Sequence, residues 1–210
     1  LGMLAEAGAV AFTDGFKPVS NSRVMLQALN YAKTFDLMIV QKPEDQMLSS
    51  GTAMNEGEIA TRLGLTGNPS QSEVIMVERD LRLLEITGGK IHFCNLSTKE
   101  SIDVVRKAKD RGLTVSCDTA PPYFALNELA VGDYRTFAKL SPPLRSESDR
   151  QSIIDGLKDG TIDVIASDHC PQDEESKRLP FSQAASGGVG LETLLPITLV
   201  KTAINIGILS

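Results

Sequence analysis

Short apolar runs, each closed by a polar or turn-forming cluster, alternate along the 210-residue chain with longer stretches of helical spacing. Residues 1–7 read as the end of a helix capped by Gly8. Residues 9–12 predict a buried strand that stops at Thr13, Asp14 and Gly15. From about Ser22, a candidate N-cap, Val24, Leu26, Leu29 and Ala32 recur at helical spacing as far as Lys33. Residues 37–40 predict a second strand, and the Gly-, Ser- and Asn-rich stretch 46–70 a long surface excursion with a short helix near 56–63. A helix over 72–87 carries Val74, Val77, Leu81 and Leu84 on one side and ends at Gly88 and Gly89. Residues 90–94 predict strand three, a helix follows to Arg111, and Gly112 ends it before strand four at 113–117. Residues 123–147 read as irregular; a helix over 147–158 then precedes strand five at 162–166.

Five strands separated by crossovers, with no hairpin among them, imply parallel strands joined right-handedly. Periodicity by itself leaves a doubly wound sheet and an α/β barrel both open. Either way the polar clusters fall at one rim, where parallel sheets mount ligand-binding and catalytic side chains. They are Asp14; Lys42 with Glu44 and Asp45; Asn95 with Ser97 and Thr98; Asp118; and Asp168 with His169. A strand-end carboxylate such as Asp168 serves as a metal ligand, a general base or a helix cap. Each cluster is weak alone. Asp14-Gly15 is first of all a turn, Lys42 a solvated loop lysine, and Ser97 an N-cap with Glu100 completing a capping box. His92, inside a strand, reads as a satisfied core histidine before it reads as a ligand. There is no phosphate-binding glycine loop, nucleophile elbow or paired-cysteine motif.

Composition narrows the class. A net charge of -6 and no basic run argue against nonspecific nucleic-acid binding, and no apolar stretch reaches the ~18 residues of a membrane span. Three cysteines, Cys94, Cys117 and Cys170, form no zinc-finger spacing and predict reduced thiols in a cytoplasmic protein. Two histidines are too few for a multi-histidine metal site. A start at Leu1 and an apolar pattern over 194–209 lead us to expect one partial domain, 1–210, of a longer polypeptide.

An ordered set of segments resembles the dihydroorotases of the cyclic amidohydrolase superfamily. They are Ala11 to Asp14, Glu44-Asp45, Met54 to Gly57, Leu63 to Leu65, Leu96 to Ser101, Pro142 to Arg145, Asp159 to Asp163, Ser167 to His169 and Gly190 to Thr193. The resemblance implies part of a metal-dependent (β/α)8 barrel, about five parallel strands of it, with the first strands and the C-terminal part outside this chain. It implies the interconversion of carbamoyl aspartate and dihydroorotate in pyrimidine synthesis, using zinc to activate water and an aspartate to shuttle the proton. Asp14 matches a metal-binding carboxylate, Asp168 the catalytic aspartate, and Gly187 a loop glycine near the substrate.

The departures carry as much information. Lys42 and Asn95 stand where the family has metal-ligand histidines. Pro121-Pro122-Tyr123 replaces a Pro-His-His stretch. At substrate-side positions Ser141 replaces an asparagine and Gln172 a histidine. An ammonium has no lone pair to give zinc, and an amide is a poor substitute for imidazole. Reduced or absent metal binding is therefore expected, with Lys42 instead pairing Asp14 or Asp168. Two readings compete: a dihydroorotase with an altered site acting on a small-molecule substrate, or a silent dihydroorotase-like scaffold that supports aspartate transcarbamoylase. A related cyclic amidase, such as a hydantoinase, fits Pro142 to Arg145 and Gly190 to Thr193 less well. Five strands cannot close a barrel, so the segment is expected to form a homo-oligomer or aggregate through its open edges.

Overall fold

The computed structural model describes residues 1–200, so the end of the apolar stretch at 194–209 lies outside the described residues. In chain order the elements are α1 Gly2–Glu6, β1 Ala11–Phe12, α2 Ser22–Thr34, β2 Met38–Gln41, α3 Gln46–Ser49, β3 Met54–Asn55, α4 Glu58–Leu63, β4 Gly67–Asn68, α5 Gln71–Thr87 and β5 Ile91–Phe93. They continue with α6 Lys99–Asp110, β6 Val115–Thr119, α7 Pro121–Ala125, α8 Glu147–Lys158, β7 Val164–Ile165, α9 Glu174–Lys177 and α10 Leu191–Thr198.

Five strands form one parallel sheet in the order β1-β2-β5-β6-β7. That order follows the chain without reversal. A doubly wound sheet reverses at its switch point, so the arrangement is the wall of a (β/α)8 barrel. Side chains alternate across it. Ile39, Ile91, Phe93 and Cys117 point to the helix layer and are buried in one core with Met25, Leu29, Val77, Leu84, Ile102 and Ile153. His92 and Ser116, opposite each other in register, project to the other side.

The helices follow from their caps and apolar faces. Asn21, not Ser22, caps α2, accepting from the amides of Arg23 and Val24; its amide oxygen reaches two and three residues ahead, leaving Ser22 the first helical residue. Ser146 and Asp149 form a reciprocal capping box at the start of α8. Gly88 closes α5 in the left-handed conformation at φ 62°.

Residues 46–70 differ from the surface excursion their polarity suggested. β3 and β4 pair in parallel, and Ala53, Met54 and Ala60 are buried against Ala120, Tyr123, Val131, Leu144 and Phe181. The asparagines that looked like loop residues work inside: Asn55 and Asn68 both accept from the buried guanidinium of Arg145. Within the stretch that read as irregular lie most of α7 and two 3-10 turns, Glu128–Val131 and Thr136–Ala138.

Candidate functional site at the strand ends

Along and just past the C-terminal ends of β5, β6 and β7 a chain of polar side chains crosses the sheet. His92 donates from Nε2 to Asp118 Oδ2 at 2.9 Å, while its Nδ1 meets Ser116 Oγ at 2.7 Å. The backbone amide of Asn95 donates to Asp118 Oδ1 at 2.6 Å, and its side-chain Nδ2 donates to Asp168 Oδ1 at 2.8 Å. Tyr123 completes the run, its hydroxyl 3.1 Å from Asp168 Oδ2 and 3.0 Å from the carbonyl of Pro142. Both oxygens of each carboxylate are therefore engaged.

Backbone conformation places these groups. Asn95 and Asp168 sit at φ 54° and 47°, in the left-handed region where Asn and Asp are the best tolerated residues with a side chain. Each turns the chain sharply at its strand end. Gly190 lies so close to this turn that a Cβ would stand 1.9 Å from the carbonyl oxygen of Ser167, so only glycine fits. His169, next to Asp168, accepts at Nδ1 from the amides of Gly190 and Leu191 and so caps α10.

The electrostatics follow from burial. Asp168 is raised above the usual carboxylate range by desolvation, opposed by Tyr123, Lys42 and Asn95. Burial, then the nearby Asp168 charge, holds the Tyr123 hydroxyl well above its ordinary value. The Cys94 thiol is pushed up to about 12 by burial and by Asp118 and stays protonated.

Lys42 is half-buried and spends its ammonium on Ser141, donating to Oγ at 2.8 Å and to the carbonyl at 3.1 Å. It makes no ion pair with Asp14 or Asp168 within 4.0 Å, although its charge reaches Asp168. Asp14 lies exposed in the turn after β1, outside the hydrogen-bonded run. Gln172 and Gly187 sit together on the loop beyond Asp168: Gln172 Nε2 donates to Cys170 Sγ at 3.3 Å, and Gly187, at φ 125°, packs against the Cys170 carbonyl.

A second network lies behind the first. Glu73 accepts from the amides and hydroxyls of Ser97 and Thr98, and Arg145 donates to Ser97 Oγ at 3.2 Å. Ser97 is therefore not the helix cap; Thr98 caps α6 by accepting from Ser101, because the Ser97 hydroxyl is drawn inward by Glu73. Sequence reading missed Glu73, which lies in the first turn of α5. It also missed the pairing of His92 with Asp118, although the alternation of 92 with 94 and of 116 with 118 was the signal that could have found it.

Comparisons with known proteins agree with this architecture. A family described as dihydro-orotase-like matches residues 1–101. A dihydroorotase of Desulforapulum autotrophicum is 48% identical over 198 residues, covering 94% of this chain and 46% of that protein. One of Anaplasma phagocytophilum is 50% identical over 197 residues, 93% of this chain and 44% of that protein. The chain thus spans about half the length of the curated relatives it matches. Among solved structures, D-hydantoinase from Bacillus sp. AR9 superposes with a TM-score of 0.80 at 21% identity, covering 98% of this chain and 48% of that one. The barrel wall is shared with the hydantoinase structure, whereas the extended sequence identity is to dihydroorotases, which this chain resembles over more than nine-tenths of its length.

Proposed function

We propose that this protein is a dihydroorotase-family member of pyrimidine biosynthesis whose hydrolytic site is silent, and that it serves as a scaffold supporting aspartate transcarbamoylase. The observation that carries this reading is the Lys42–Ser141 contact. At the position where the resemblance implies a metal-ligand histidine, a cation is hydrogen-bonded to the residue standing at a substrate-side position.

The family's zinc does not fit the residues at these positions. The Lys42 ammonium offers no lone pair. The Asn95 amide is already a donor to Asp168, whose other oxygen is taken by Tyr123. Asp14 is exposed in its turn. A divalent cation there would meet a fixed positive charge and, in Asp168, a carboxylate whose two oxygens are already engaged, so no reaction step is derived through it. Barrel-building segments persist beside this loss: Pro142 to Arg145 hold the strand-end loops, and Gly190 fits its turn closely.

The test is turnover of dihydroorotate by the full-length protein in zinc-containing buffer, with size-exclusion chromatography alongside aspartate transcarbamoylase. No turnover and co-elution are expected. Turnover at rates ordinary for enzymes, about 1 s⁻¹ or more, would overturn the silent reading; absence of co-elution would overturn the scaffold. In the double variant K42H/N95H, zinc uptake at the restored positions is expected.

A further inference from the structure

His92 and Cys94 lie two residues apart at the end of β5, so their side chains leave the same side of the sheet. On β6, Ser116 pairs with His92 and Asp118 lies two residues further on that same side. The His92 Nε2 proton points at Asp118 Oδ2 over 2.9 Å, and the Cys94 thiol lies beside the same carboxylate. An imidazole nitrogen, a sulfur and a carboxylate oxygen thus lie within 4.8 Å of one another, and no other such group occurs among the described residues.

We propose that His92 Nε2, Cys94 Sγ and the Asp118 carboxylate form a binding site for one divalent cation of zinc's class, set deeper along the strands than the family's ligand positions. Tetrahedral zinc wants ligand atoms about 3.5 Å apart, given bonds of roughly 2.0–2.3 Å, so closure from at most 4.8 Å requires a contraction of no more than about 1.3 Å. Sulfur and imidazole with one carboxylate is a borderline-soft set that selects zinc over magnesium or calcium. On loading, the Cys94 proton leaves to solvent. The imidazole keeps its single proton, moved to Nδ1, where it donates to Ser116 Oγ, now 2.7 Å away. Such a partner on the far nitrogen is what orients metal-bound histidines. The Asn95 amide, 2.6 Å from Asp118 Oδ1, orients the carboxylate in the same way. Charge also balances, because one thiolate and one carboxylate neutralise the cation and leave Lys42 beside an uncharged cluster rather than a bare dication. Three protein ligands leave a fourth position for water.

This inference stands apart from the proposed function, since a metal here restores none of the lost histidine positions. The test is cobalt(II) titration of the full-length protein followed by absorption spectroscopy. One equivalent bound, with a thiolate-to-cobalt charge-transfer band that zinc displaces, is expected. Cys94→Ser should abolish the band, while Cys170→Ser and Asp168→Asn keep it. Failure to bind cobalt, or a band that survives Cys94→Ser, would overturn the site. Should Cys94→Ser unfold by circular dichroism, X-ray absorption of the zinc-loaded wild type decides: one sulfur among nitrogen and oxygen neighbours supports the site, and no sulfur refutes it.

Discussion

Leu96 separates two polar clusters that share a strand end and little else. On one side Asn95 feeds the run through Asp118, Asp168 and Tyr123. On the other, Ser97 and Thr98 feed Glu73 and, through Ser97, Arg145. The second cluster is sealed and closed: one acid, one base, and asparagines from β3 and β4 to take the remaining guanidinium protons. The first is unevenly buried, with Asp118 and Tyr123 inside but Asn95 and Asp168 partly exposed, and it is unbalanced: two carboxylates, a cation aimed at a serine, and an amide where the resemblance implies an imidazole. On the reading proposed above, the charges that hold the loops to the barrel are kept and those at the implied ligand positions are changed.

Breaking the sealed cluster should cost most. Arg145→Ala leaves Glu73 buried without its compensating cation and should lower unfolding free energy by about 3–5 kcal/mol, measured by denaturant titration. A loss below about 1 kcal/mol would make the two clusters equivalent.

A third acid sharpens the contrast. Asp80 on α5 is fully buried, paired with Arg79, and has one oxygen, Oδ2, without a partner. Burial raises it to about 6 against the opposing pull of Arg79. The folded chain therefore holds this proton more tightly than the unfolded chain does. The stabilisation conferred by protonation is complete below about pH 4 and is lost as pH rises to about 6. Melting experiments from pH 4 to pH 7 should show this decline, on the order of 2–3 kcal/mol at most, and Asp80→Asn should flatten it. An unchanged slope in the variant would assign the decline elsewhere.

Within the strand-end cluster the effects should be smaller. Asp168→Asn exchanges a carboxylate disfavoured by burial for an amide that satisfies only one of its two donors. A change of about 1 kcal/mol in either direction is expected by thermal melting, and a loss near that of Arg145→Ala would show the cluster to be structural. Lys42→Met should alter stability least, by less than about 1 kcal/mol, because it removes one partly solvated contact.

The barrel wall was legible in the sequence because fully buried strands and amphipathic helices impose different periods. All five sheet strands lie where apolar runs met turn clusters, displaced by one or two residues where carbonyl pairing, not hydropathy, ends the ladder. The excursion at 46–70 was opaque for a definite reason. Asn55 and Asn68 are polar because they meet Arg145 from ninety and seventy-seven residues away, and local composition cannot distinguish that use from solvent. The strand-end polar residues were visible one by one. What no local pattern carried was their wiring: Asn95 donating to Asp168, Lys42 turning to Ser141, and Tyr123 reaching across to Asp168.

The left-handed turn at Asn95 bears on the history open to this protein. A backbone at φ 54° admits asparagine, aspartate or histidine far more readily than branched or bulky residues. Asparagine and histidine can be exchanged there without rebuilding the loop. Lys42 differs, since its ammonium holds the loop of Ser141. A histidine at 95 would keep the turn, whereas any change at Lys42 gives up its hold on Ser141, so the two positions differ in what a substitution costs.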